Sequence, residues 1–362
     1  MGSTINLKLP AWMASWGARA KPKQVVYFTR QLATLIDAGL PLVKSLYTLY
    51  EQLEPGTLRE TVGKVAAEVE GGTTLSEALS RYPGVFPPLF VNMVRAGELG
   101  GLLDEILKRL AEFLEKQERF RNRVRSALMY PLFVMGIAVS VLVILMAFVV
   151  PTFVKMFGEL GGSLPLPTQV LIVISTAIRQ WWGAMAVALV AMAFGAQAAL
   201  KVPSVRFVAD RLVLRMPIVG RLVHQVAVAR FAKTLGTLLS SGVPILKAID
   251  VVQETVGNLV IRRALEQVRQ GLKEGNSVAG PLEASKVFEP IVVRMVAVGE
   301  ETGALDRMLI KIGDNFEEEV DIAVGGLTAL LEPLLIVFLG LVVGFIVISM
   351  FLPMFSLAKL IG

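Results

Sequence analysis

The sequence predicts an all-α membrane protein with two homologous cytoplasmic helical bundles, about six helices each, and three transmembrane helices. Three observations lead there. The chain repeats itself. Its apolar residues gather in three stretches. The rest shows helical periodicity and no alternation at period two.

The repeat is legible residue by residue. Phe28, Leu32, Thr34, Leu35, Gly39, Pro41 and Lys44 recur as Phe231, Leu235, Thr237, Leu238, Gly242, Pro244 and Lys247, an offset of 203. The offset then becomes 202. Phe86, Pro88, Met93, Gly97, Glu98 and Gly101 recur as Phe288, Pro290, Met295, Gly299, Glu300 and Gly303, and Pro131, Pro151 and Phe153 as Pro333, Pro353 and Phe355. The repeated unit therefore runs from a polar helical module into a hydrophobic span.

Hydrophobic residues make up 54% of the chain. The mean hydropathy of +0.64 is too high for an ordinary soluble protein. Residues 131–150 and 333–353 carry no charge. At about 20 residues, or roughly 30 Å of helix, each is long enough to cross a bilayer. The middle stretch, 170–200, is interrupted by Arg179, Gln180, Trp181 and Trp182. Its span is expected at 182–200, with Val170–Ile178 a separate short helix at the interface. Arg119, Arg121, Arg123 and Arg125 precede the first span; Lys201, Arg206, Arg211 and Arg215 follow the second. The positive-inside rule then places both large modules in the cytoplasm. The same arginines also suit lipid headgroup binding.

Inside the modules, Phe28, Leu32, Leu35 and Ile36 keep helical spacing, as do Leu103, Ile106, Leu107, Leu110 and Leu114. Breakers separate such runs at Gly39–Pro41, Gly71–Gly72, Pro87–Pro88 and Gly100–Gly101. Thr74 with Glu77 forms a capping box. The boundaries expected are a leader at 1–24, module 1 at 25–130, span 1 at 131–150, and a periplasmic loop with interfacial helix at 151–181. Span 2 follows at 182–200, module 2 at 201–332, span 3 at 333–353 and a periplasmic tail at 354–362. The leader reads either as a weak amphipathic surface anchor or as disordered chain.

Catalytic chemistry is not legible here. Cysteine is absent, which excludes disulfides and thiolates. No phosphate-cradling G-x-x-x-x-G-K-[ST] occurs. His224 is the one histidine, so no His/Cys metal cluster exists, and it reads as a surface residue. The apolar parts of the spans lack ionisable residues, which argues against a transporter or proton relay. No cofactor is expected.

The stretch Arg30–Leu42, the run Gly97-Glu98-Leu99-Gly100-Gly101, Tyr130-Pro131 and Glu332-Pro333 resemble the inner-membrane platform proteins of type IV pilus assembly and type II secretion, the PilC/GspF superfamily. The resemblance covers residues 25–357. The 28–42 wording and Leu164-Pro165-Leu166-Pro167-Thr168 are more like the pilus branch. The short leader departs from many relatives. The resemblance implies a non-enzymatic multi-pass protein of the bacterial inner membrane. It implies contact with cytoplasmic hexameric assembly and retraction ATPases, with pilins and with other inner-membrane pilus alignment proteins. It also implies homo-oligomers in the lipid bilayer and no nucleic acid. The alternative is the platform of a type II secretion system driving a pseudopilus. A non-motor scaffold or a transporter stands further off.

Each motif has a structural and an interface reading. In Gly97-Glu98-x-x-Gly101 and Gly299-Glu300-x-x-Gly303 the glycines would close one helix. The glutamate would sit near the next helix N-terminus, or contact basic residues of an ATPase or a neighbouring protomer. Gly39-Leu40-Pro41 and Gly242-Val243-Pro244 read as helix stop and restart. Arg30/Lys233, Lys44/Lys247 and Arg59/Arg262 keep their sign in both halves, as solvated faces or as a docking surface for an acidic partner. Glu332 sits where span 3 enters the membrane, either hydrated or in contact with a pilin or a second protomer. Pro131 and Pro333 are expected to open spans 1 and 3, and Pro151 and Pro353 to end them. Gly340 and Gly344 form a small-xxx-small pattern that permits close helix approach and self-association.

Overall fold

The computed structural model describes residues 20–158 and 165–361, and their side chains other than those of 128, 185, 186, 189, 328, 332 and 354–361. Expectations for most of the leader, for 159–164 and for the Glu332 side chain lie outside the described residues. No strand occurs among the described residues.

The first repeat comprises α1 (Pro22–Asp37), α2 (Leu42–Gln52), α3 (Thr57–Glu70), α4 (Leu75–Ser80), α5 (Pro88–Gly100) and α6 (Leu103–Ile144). A π-helical turn, Leu145–Val149, leads to α7 (Val150–Gly158), then α8 (Leu166–Ala199) and α9 (Pro203–Arg215). The second repeat comprises α10 (Val219–Ser240), α11 (Ile245–Thr255), α12 (Leu259–Lys273), α13 (Ala279–Ser285), α14 (Pro290–Glu301) and α15 (Leu305–Ile361). Two compact units result. One holds both polar modules, through Asn122 and again Leu214–Glu319; the other holds Arg123–Val213 and the chain from Val320.

The module unit has a continuous apolar core. Phe28 and Phe86 lie at its centre in the first module with ring centroids 5.8 Å apart. Their counterparts Phe231 and Phe288 are 5.0 Å apart. All four are buried. Full burial of such a ring stabilises by roughly 1.5–3 kcal/mol, so the repeated phenylalanines are the anchors of each bundle. Helix limits follow local chemistry. Gly39 and Gly242 adopt φ of +82° and +79°. There Leu40 N–H returns to Leu35 O at 3.0 Å and Val243 N–H to Leu238 O at 3.0 Å. The left-handed glycine closes the helix, as expected, and Pro41 and Pro244 cap the next one with extended backbone.

In the membrane unit, Met146, Val150, Leu171 and Ile346 form a small buried cluster. Among the described residues, two helices carry stretches long and apolar enough to cross a membrane, within Leu103–Met156 and Leu305–Pro353. A shorter apolar run, Val190–Ala199, lies in α8. Most side chains of the two long stretches face outward, as Leu132 (68% exposed) and Leu334 (64%) do.

Three expectations are corrected. Pro131 and Pro333 do not open helices; each lies inside one, as does Pro353. The helix also continues past Pro151 to Gly158. The reason is energetic. A proline within a helix forfeits one backbone hydrogen bond, whereas a helix end in apolar surroundings leaves several unsatisfied groups. Likewise Val170–Ile178 is not a separate helix, because α8 passes unbroken through Arg179–Trp182. A charged residue in a helix is tolerated where its side chain reaches polar surroundings.

Candidate functional site

The two Gly-Glu-x-x-Gly motifs share one geometry. At their C-terminal ends, Gly101 and Gly303 have φ of +66° and +67°. Leu102 N–H bonds Gly97 O at 2.9 Å, and Ala304 N–H bonds Gly299 O at 2.9 Å. This is a Schellman closure, which needs a left-handed residue and so favours glycine. At their first positions the glycines permit close helix contact. A Cβ on Gly97 would lie 3.0 Å from Ile106 Cβ, and one on Gly299 would lie 2.9 Å from Leu305 Cα.

The glutamates do something the sequence reading placed elsewhere. Glu98 accepts hydrogen bonds from Leu75 N–H at 2.5 Å and Ser76 N–H at 3.0 Å. Glu300 accepts from Val278 N–H at 2.5 Å and Ala279 N–H at 2.9 Å. Each carboxylate thus caps the short helix that precedes its own, not the helix that follows. Free first-turn amides and the helix dipole both favour an anion there. Thr74 completes the cap by accepting from Glu77 N–H at 3.3 Å, and Ser277 accepts from Gly280 N–H at 3.2 Å in the counterpart.

The paired cations divide. Arg30 Nε donates to Glu115 Oε1 at 2.5 Å. Lys233 pairs with Asp314 and lies 3.6 Å from Glu317, the counterpart of Glu115. The Glu115 hydrogen bond raises the Arg30 guanidinium above its ordinary value, and the Arg30 bond holds the Glu115 carboxyl below its own. By contrast Lys44 and Lys247 are exposed. Arg59 stacks over Tyr50 with 5.1 Å to the ring centroid, while Arg262 is exposed. His224 is half-buried, not a free surface residue, with Nε2 2.7 Å from Val287 O. Gly340 and Gly344 are open, since a Cβ at either would meet nothing within 4 Å. The structure does not gather the candidate residues into one site; it distributes them over both repeats.

Sequence reasoning missed a cleft of about 430 Å³ in the module unit. Val25, Phe113 and Phe120 supply apolar wall, and Arg121, Arg230 and Glu118 supply charge. Desolvation, and then the charge of Arg121, push the Arg230 guanidinium below its ordinary value. Arg121 lies 3.7 Å from Glu118. Only the arginine run before span 1 hinted at it. No group of three or more His, Asp or Glu side chains suited to a metal occurs among the described residues.

The family model for type II secretion system protein F matches the chain twice, at residues 28–151 and 231–353. The chain is 46% identical to a type IV pilus assembly protein PilC of Thermus thermophilus, over 100% of this chain and 87% of that one. It is 45% identical to a protein of the same name from Myxococcus xanthus, covering 93% and 81%. It is 36% identical to a type II secretion system protein F of Xanthomonas campestris, covering 93% and 84%.

Proposed function

Because the chain belongs to the type II secretion system protein F family, whose members are assembly and secretion-system proteins and not enzymes, we propose that it is the membrane platform of a type IV pilus machine. Its modules would face the cytoplasm and receive the movement of hexameric assembly and retraction ATPases. Its membrane part would pass that movement to pilins as they leave or re-enter the bilayer. Residues 151–181 and the C-terminal tail would face the periplasm of a bacterial inner membrane. Other inner-membrane alignment proteins and further copies of the chain complete the set of partners.

The observation that carries this reading is the duplication itself. Each family repeat begins as a polar helical bundle and ends in a helix that continues into an apolar span, α6 in the first and α15 in the second. Exposed Arg262 would favour encounter with an acidic partner by electrostatic steering. The pilus reading is taken over secretion because the relatives at 45–46% are pilus proteins, while further pilus relatives at 35–38% overlap the secretion relatives at 35–36%.

Deletion of the gene in its host tests this, with electron microscopy of surface pili and an assay of secreted proteins. Loss of pili with normal secretion supports the pilus platform. Normal pili with exoproteins stalled in the periplasm transfers the role to type II secretion. Loss of neither overturns the platform reading.

A further inference from the structure

The two modules contact each other through different faces. Arg109 on α6 donates from Nη1 to the carbonyl of Ser240, the last residue of α10, at 2.7 Å. Beside it, α5 packs near α11, with Asn92 and Arg95 facing Lys247, Asp250 and Glu254 across a shallow groove. Module 1 therefore contributes its α5/α6 face, and module 2 contributes its α10 end and α11.

A two-fold pairing of repeats would bury counterpart residues equally. They are not equally buried. Val251 and Ser241 are buried at 4% and 8% exposure, whereas their counterparts Thr48 and Ala38 are half-buried and exposed. Asn92 and Arg109 are half-buried, and their counterparts Arg294 and Lys311 are exposed. Ser240 is half-buried, and its counterpart Asp37 is exposed. The contact is thus head-to-tail. The same two complementary faces, with ownership reversed, are left open: α14/α15 on module 2, and the α1 end with α2 on module 1.

The open faces carry opposite charges, as the intramolecular groove does with Arg95 beside Asp250 and Glu254. Lys311 takes the place of Arg109, and Asp37 takes the place of the Ser240 carbonyl. Arg294 replaces Asn92 opposite a helix that carries Glu51, the counterpart of Glu254. Lys44 remains in that groove as the counterpart of Lys247. Among the described residues, none of Asp37, Glu51, Arg294 and Lys311 enters an ion pair within the chain. The pattern has the signature of an interface whose second half belongs to another molecule.

We propose that a second copy of this chain docks its α14/α15 face on the α1 end and α2 of the first, repeating between molecules the packing that joins the modules within one. Lys311 of one copy then meets Asp37 of its neighbour, and Arg294 meets Glu51. A heterologous contact of this kind propagates from copy to copy, and forms a ring where its rotation closes. The proposal rests on the platform reading only for the expectation that an oligomer exists; the surface itself follows from the repeat.

The absence of cysteine makes the test clean. Two differently tagged full-length copies, one Asp37→Cys and the other Lys311→Cys, are expressed together and treated in membranes with a short bis-maleimide. The mixed pair is expected to give a two-tag dimer, and either variant alone is not. Separately, Asp37→Lys should weaken self-association of the detergent-solubilised protein about tenfold, as loss of a close interfacial charge pair does. The combined Asp37→Lys, Lys311→Asp chain should recover it. Same-site cross-links outweighing the mixed one would overturn the proposal. So would absence of any cross-linked dimer, or an association unchanged by Asp37→Lys. None of these failures touches the piliation assay, so this surface and the platform role stand or fall separately.

Discussion

Arg30 and Glu115 lie 85 residues apart in the chain and are joined by a 2.5 Å hydrogen bond that ties α1 to α6. Lys233 and Glu317 hold the same places in the second module. The Glu115 carboxyl is held below its ordinary value of 4.5, first by the Arg30 hydrogen bond, with desolvation opposing. A group whose folded pKa is depressed stabilises fully above its unfolded pKa, and that stability is lost as pH falls through the folded value. The thermal midpoint of Glu115→Gln should therefore lie below wild type at neutral pH, and the gap should narrow as pH falls below 4.5. A gap that widens in acid would contradict the pairing.

Glu98 and Glu300 should behave as structural caps. Glu98→Ala leaves two amides of α4 without their acceptor, at a cost of roughly 2 kcal/mol. Glu98→Gln retains one acceptor oxygen and should cost about half as much. Glu300 substitutions should follow the same order. Thermal unfolding of the full chain in detergent measures both. If Glu98→Ala abolished piliation at unchanged stability, the carboxylate would belong to a partner contact instead.

The glycines separate into two classes by space. Gly299→Ala sets a methyl against the Leu305 backbone, so it should destabilise by about 1–3 kcal/mol. Gly97→Ala meets Ile106 at 3.0 Å and should cost somewhat less. A Cβ at Gly340 or Gly344 would meet nothing within 4 Å, which leaves room for Gly340→Ile with Gly344→Ile. That pair should leave the monomer fold intact and weaken the oligomer, because small residues in spans admit close helix approach. Native mass spectrometry showing an unchanged oligomer would remove span 3 from the self-contact.

The π-helical turn Leu145–Val149 is held by Ser175 of α8, which donates to Met146 O at 2.5 Å. A π-turn disturbs the ordinary backbone pairing, and an apolar setting has no water to replace it. Ser175→Ala should destabilise the membrane unit by about 1 kcal/mol, within the range of interhelical bonds in membranes. Ser175→Thr can keep the hydroxyl and should recover most of that loss. Unfolding in mixed detergent would show whether the order holds.

Local signals were readable because short-range physics decides them. The Gly39 and Gly242 stops, the Thr74 cap and the helical spacing of the apolar runs follow from φ preference, side-chain length and helical period. Each is a property of a few neighbouring residues. The sequence by itself therefore determined the all-α class, the duplication and the two long charge-free stretches. Only the tertiary structure decided where the motif glutamates point, because the amides they cap lie 21–23 residues earlier in the chain. It alone separated Arg30 and Lys233, which are held by carboxylates, from Lys44 and Lys247, which are exposed. It alone carried α6 and α15 through their prolines. And it alone revealed that counterpart faces of the repeats are unequally covered. Sequence identity between repeats is symmetric, whereas a head-to-tail contact is not, so burial distinguishes what the repeat cannot.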